Sequence, residues 1–251
     1  MTDATVLDRS RAPAPGPLRP FHFPTIRRRT LNNGLQVIVA ENHAFPLATL
    51  DLVLPSGGLA EPEERAGVAS ITAGLLESGA GGRDATQIAE AVDALGLALE
   101  TGISWDTSLV GFTGLTSRLE AGMSILADLA IRPTFPEHEV ERIRDERLAS
   151  IAQRRADPSS LADELNTYYS FPAGHPFGRR LGGPEATLAT LTRADVAAFH
   201  ATRYLPEGAW LCAAGDVTLD GVSALAERYF AGWTGAPPAP RTPETDPRFG
   251  E

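Results

Sequence analysis

Between Arg29 and Trp233 the apolar residues change their repeat several times. They recur at every second position, then at every third or fourth, then at every second again, with glycine, proline or a capping residue at the changes. Leu35–Val39 and Leu47–Leu54 have strand character, with Asn32-Asn33-Gly34 as a turn before the first and Ala44–Pro46 between them. Acidic Glu61–Glu64 leads into Val68, Ile71 and Leu75 at helical spacing, and that run ends in Gly79, Gly81 and Gly82. Asp84-Ala85-Thr86-Gln87 is a capping box for a second helix carrying Ile88, Val92 and Leu95, with Gly96 as its stop. Leu97–Ile103 and Ser108–Phe112 alternate as strands, and Arg118–Ile131 returns to helical spacing. Pro133 and Pro136 break that helix, and a long charged one runs from about Glu137 to Ala156. Pro158–Ser170 reads as a further helix, followed by a glycine- and proline-rich loop over Phe171–Pro184. A box at Thr192 and Asp195 opens a helix, Trp210–Gly215 is a strand, and Leu219–Phe230 is a last helix. Hairpin-joined strands and grouped helices predict an α+β fold with a largely antiparallel sheet, and the grouping is too irregular for a solenoid.

The ends read differently. Residues 1–24 are rich in Pro, Ala and Arg with few large apolar groups, which predicts a flexible arm, and 25–235 is the folded domain. The APPAPRTPETDP run in 236–251 reads as an extended linker toward an absent second domain.

Composition narrows the function classes. Cys212 is alone, so a disulfide scaffold is excluded. The sequence has no lysine, which excludes a Schiff base, a Walker lysine and a Ser-Lys dyad. With 22 basic against 32 acidic side chains and a net charge of −10, nucleic acid is not an expected partner. No stretch has the roughly 20 apolar residues of a membrane span, and Met1–Pro20 lacks a signal-peptide core, so the expectation is a cytoplasmic protein without membrane insertion, with an organellar or periplasmic location as the alternatives.

Local signals for chemistry are sparse. His22, His43, His138, His175 and His200 form no i, i+3 or i, i+4 pair that would present two imidazoles on one helix face. Glu137-His138-Glu139 reads as a solvated helix start, and His175 as a hydrogen-bonding loop residue. G-x-S-x-G is absent, and Ser56-Gly57-Gly58 and Ser78-Gly79 read as turns. Cys212, within LCAAG, reads as a small buried hydrophobe. Gly79-Ala80-Gly81-Gly82 lacks the spacing of either nucleotide-binding fingerprint.

Taken in order, the segments resemble the N-terminal domain of the pitrilysin family, which includes insulinase-like peptidases, mitochondrial processing peptidase and the bc1 core proteins. LNNGLQVIVAENHAFPLATLDLVLPSGGLAEPEERAGVA resembles that family's first hairpin and the entry to its metal-site helix. RPTFPEHEVERIRDERLASI resembles the helix that supplies the last metal ligand. HPFGRRLGGPEATLATLTRADVAAFHATRYLPEGAWLCAAGDV, the most specific piece, resembles the closing helix and strand. The resemblance implies an antiparallel sheet with helices on one face.

Active members carry H-x-x-E-H on the first helix and a glutamate on the long one. Matching GVASITAGLL to that motif puts Ser70 and Gly74 at the two histidines and Ala73 at the catalytic glutamate. Matching ERIRDERLASI puts Ser150 at the distal glutamate, with Asp145 and Glu146 on other turns. A hydroxyl, a hydrogen and a methyl do not bind zinc, and without the metal there is no activated water. The expectation is therefore no catalytic residue and no metal ligand in this chain, with zinc only in an active partner. Glu77, seven residues after Ser70, reads as a surface or glycine-loop contact. Small residues at Ala73 and Gly74 predict either close packing or a shallow hollow.

Because family members often work as paired halves, the resemblance implies a silent subunit that pairs with a zinc-bearing homologue and helps to position a peptide substrate. Glu100-Thr101-Gly102 matches the strand edge along which active relatives dock substrate, and edge protection accounts for it equally well. Trp105 reads as core or interface. A scaffold subunit with no peptidase role, and an active zinc peptidase with atypical ligands, are the alternatives.

Overall fold

The computed structural model describes residues 23–239 apart from Ala173, together with residues 16, 20 and 242. His22, nearly all of the expected N-terminal arm and most of the expected linker lie outside the described residues. At its near end Pro238 is tied down, its carbonyl accepting from Arg203 Nη1 at 2.6 Å.

Six strands form the main sheet: β1 (Ile26–Thr30), β2 (Gln36–Glu41), β3 (Leu47–Leu54), β6 (Ala98–Ile103), β7 (Ser108–Leu115) and β8 (Trp210–Gly215). Their order is β1-β2-β8-β3-β7-β6, and every pair is antiparallel except β2 with β8. The expected first hairpin is corrected here. Asn32-Asn33-Gly34 joins β2 to β1, an IRRRT strand whose arginines concealed it, and β8 lies between β2 and β3. Gly34 closes that turn with φ +88°, which a side chain would strain. A short hairpin, β4 (Gly79–Ala80) with β5 (Arg83–Asp84), replaces the expected glycine stop.

One face of the sheet carries Val37, Val39, Leu50, Leu52, Leu54, Val110, Phe112 and Leu211, all buried. Each such side chain contributes about 1.5–3 kcal/mol on burial. Packed over it are α1 (Val68–Gly74), α3 (Leu119–Ile131) and α8 (Leu219–Phe230). Gly122 lets α3 lie close, since a Cβ there would sit 2.6 Å from the Phe112 ring. Next to this layer run α2 (Ala85–Leu95), α4 (Glu137–Arg155), α5 (Pro158–Ser170), the single-turn α6 (Glu185–Leu188) and α7 (Arg193–Arg203). The capping boxes at Asp84 and Thr192 form as their spacing predicts, and Gly96 takes the left-handed C-cap. On the opposite face Cys212 is half-buried, not buried as expected, because β8 turns it away from the helices beside Asp51. Burial and the Asp51 charge push its thiol up.

The position of α1 depends on one carboxylate. Gly67 precedes the helix with φ +100° and offers no capping side chain, so the first amides need another acceptor. Glu61 supplies it, Oε2 accepting from Gly67 N at 3.0 Å and Ala69 N at 3.1 Å. Its side chain is fully buried, and Arg179 Nη2 reaches Oε1 at 2.5 Å. Burial raises the Glu61 carboxyl above its ordinary value, while Arg179 and the two amides pull it back. Removing one partner of such a pair strands the other charge. Arg179→Met is therefore expected to lower the unfolding free energy by about 3–5 kcal/mol in urea titrations, and adding Glu61→Gln should restore part of it.

His200 fixes α7 to the end of α3. Its Nε2 lies 2.9 Å from the Ala130 carbonyl, and its ring stacks on Tyr204 at 4.7 Å. Burial holds its pKa below the ordinary value. The unfolded chain then takes up a proton near pH ~6.5 that the fold resists, so this contribution is complete above that pH and is lost as pH falls. Stability measured from pH 7 to pH 5 should fall more steeply in the wild type than in His200→Gln.

Candidate functional site

Helix α1 lies between the sheet edge and α4. Its Ser70 and Ala73 are buried, while Gly74 is exposed at the helix end. The Thr72 hydroxyl bonds back to a helix carbonyl, donating to Val68 O at 2.8 Å. A Cβ at Gly74 would find only Ile143 Cδ1 at 3.9 Å and Arg147 Nη2 at 4.0 Å. The missing side chain thus leaves a hollow between α1 and α4, and Ala73 is packed.

Along α4, Ile143, Arg147, Ser150 and Arg154 follow at intervals of four, three and four, which places them on one face. Ile143 is buried, Arg147 is exposed, and Ser150 accepts a hydrogen bond from Arg154 Nη1 at 2.5 Å. Asp145 and Glu146 point elsewhere, with side chains 73% and 64% exposed, so neither replaces the carboxylate expected at Ser150. Burial lowers the Arg154 pKa, as do the charges of Arg180 and Arg147, against Glu164.

The residues at the four family positions offer two hydroxyls, a methyl and a hydrogen, with a guanidinium alongside. That set does not fit zinc, which needs imidazole, thiolate or carboxylate donors. Among the described residues no three His, Cys, Asp or Glu side chains are grouped so that they could hold a metal ion. His43 sits 2.7 Å from Asp216, His138 is exposed beside Glu139, and His175 accepts from Phe177 N at 3.2 Å.

Strand β6 is the sheet edge, and Glu100, Thr101 and Gly102 lie on it. Ser104 N donates to Thr107 O at 2.7 Å at the hairpin turn. Alternation along the ladder then directs the backbone of Glu100 and Gly102 to β7 and that of Thr101 outward. Thr101 is thus the residue of the three whose N–H and C=O face an added strand. Its hydroxyl donates to Glu77 Oε1 at 2.9 Å, so Glu77 braces the edge.

Beyond the hairpin is a cavity of about 800 Å³. Trp105, Tyr168, His175, Phe177, Arg179 and Arg180 are among its walls. Trp105 is half-buried there, edge-on to Phe177 at 5.1 Å and 5.2 Å beneath the Arg179 guanidinium. Sequence reasoning did not find Glu61 or Arg179. The only signal was an acidic residue ahead of a helix whose N-cap is glycine.

Comparison with known proteins agrees with this architecture. The family model described as "Insulinase (Peptidase family M16)" matches residues 36–184, and one described as "Peptidase M16 inactive domain" matches residues 190–251. The chain is 31% identical over 204 residues to an uncharacterized zinc protease of Mycobacterium tuberculosis, covering 81% of this chain and 46% of that protein. It is 24% identical over 211 residues to a probable mitochondrial-processing peptidase subunit beta of Schizosaccharomyces pombe, covering 83% and 45%. The crystal structure of a peptidase M16 inactive domain from Pseudomonas fluorescens superposes with a TM-score of 0.81 at 23% identity, over 88% of this chain and 54% of that one. The chain thus spans about half the length of these relatives. The 36–184 match takes in more than half of the 251 residues, and the chain belongs to the insulinase family of peptidases, family M16.

Proposed function

We propose that this chain is the N-terminal domain of a non-catalytic family member that holds peptide and works beside an active, zinc-bearing homologue. The observation that carries the reading is the hollow between α1 and α4. The residues at its four family positions, Ser70, Ala73, Gly74 and Ser150, have no metal donor and no general base among them. The edge strand beside it keeps what substrate docking requires, an unpaired backbone at Thr101 braced by Glu77. A chain that has lost its chemistry and kept its docking edge fits a positioning role. The zinc would then reside in the partner.

The test is zinc content and peptide cleavage by the full-length protein, alone and mixed with its nearest H-x-x-E-H homologue. The expected result is no stoichiometric zinc, no cleavage alone, and more cleavage by the mixture than by the homologue alone. Stoichiometric zinc with unaided cleavage would establish an active enzyme with atypical ligands. Cleavage by the homologue that is unchanged on mixing would favour a scaffold subunit.

A further inference from the structure

The hollow at Gly74 has lost its metal donors, but it is not neutral. Arg147 Nη2 stands 4.0 Å from where a Gly74 side chain would begin. Two turns along the same face, Arg154 bonds Ser150 through Nη1 while its buried Nε has no acceptor. A buried donor without an acceptor is costly, so the position favours a ligand that can accept. Among the described residues Arg147 has no hydrogen bond or ion pair, and the three arginines Arg147, Arg154 and Arg180 face two carboxylates, Glu164, 3.6 Å from Arg180, and Glu77, which keeps its charge while accepting from Thr101. Positive charge therefore exceeds negative charge around the hollow, and guanidinium groups bind carboxylates in a two-point fork.

We propose that the hollow between α1 and α4 is a carboxylate site, in which Arg147 and Arg154 bind the C-terminal carboxylate of a peptide lying along β6. The inference rests on the peptide-holding role argued above. The occupant is a peptide terminus because the site adjoins an open strand edge, which positions an extended backbone and not a free anion. Such a site would hold a chain end, for instance a product or a short peptide, where an active relative holds the bond to be cut.

The probes are an N-terminally fluorescein-labelled decapeptide of Ala, Ser and Thr with a free C-terminal carboxylate and its C-terminally amidated twin, titrated into the full-length protein and followed by anisotropy. The acid is expected to bind about tenfold or more tighter than the amide. Arg147→Gln, at an exposed position, should bring the acid to the affinity of the amide and leave the amide unchanged. Arg154→Lys should do the same in part, since it keeps the charge and loses the fork. Equal binding of acid and amide would overturn this inference and leave the peptide-holding role standing. Binding of neither would overturn both. If inorganic phosphate raises the melting temperature through Arg147 while the two peptides bind alike, the site takes free anions and the assignment to a peptide terminus fails.

Discussion

A carboxylate without access to water is tolerated only if its surroundings supply charge and donors, and this requirement at Glu61 organises one end of the molecule. Its two oxygens are shared between the first amides of α1 and the guanidinium of Arg179. Arg179 lies on the loop after α5 and also covers Trp105 at the tip of the β6–β7 hairpin. Trp105 O in turn accepts from Leu59 N at 2.8 Å, which closes the circuit back to the segment that carries Glu61. Three loops far apart in sequence are thus fixed to one charge. A helix of seven residues has little stability of its own, so α1 stands where it does because its N-terminus is held and its apolar face is buried.

That fixed helix gives the hollow its character. Ala73 fills its place and Gly74 does not, so a single helical turn contains both a packed position and an open one. Across the gap, α4 has Ser150 at the position that the family resemblance gives to a carboxylate, with the guanidinium groups of Arg147 and Arg154 one turn to either side. The exchange reverses the electrostatic preference of the space. A dication is repelled by Arg147 and Arg154, while an anion or a carbonyl oxygen is attracted. In the proposed reading, the scaffold that would orient metal donors is retained and the donors are not.

Legibility in the sequence followed the range of the interactions. The boxes at Asp84 and Thr192 close within three residues, and both were readable because capping is local chemistry. The α+β class was readable for the same reason, since periodicity is a property of each segment. The neighbours of β2 were not. Its parallel pairing with β8 joins residues some 170 positions apart, and nothing in QVIVAE or WLCAAG specifies that choice. Strand β1 was hidden because all five of its residues are exposed, so IRRRT carries no alternation to read. Glu61 was misread as part of an acidic helix start, because burial depends on Arg179 being delivered from 118 residues away. The replacement residues at the metal positions came from a family resemblance. The arginines facing them came only from the packing of α4 on α1.

The edge strand differs from the hollow in how little it asks of its side chains. Backbone groups recognise an extended peptide whatever side chains surround them, so the identity of residue 73 has no bearing on the edge at Thr101. What an edge of this kind needs is protection from pairing with other sheets. Here Glu100 is exposed on β6, and burial, with the Glu100 charge added to it, raises the carboxyl of Asp51, so negative charge stands beside the open edge. The Glu100 carboxylate stands on the face of the sheet that also carries Asp51 and Cys212, away from α1 and α4. A charged side chain on the edge strand discourages pairing with a second sheet, while the backbone of Thr101 stays available to an extended peptide.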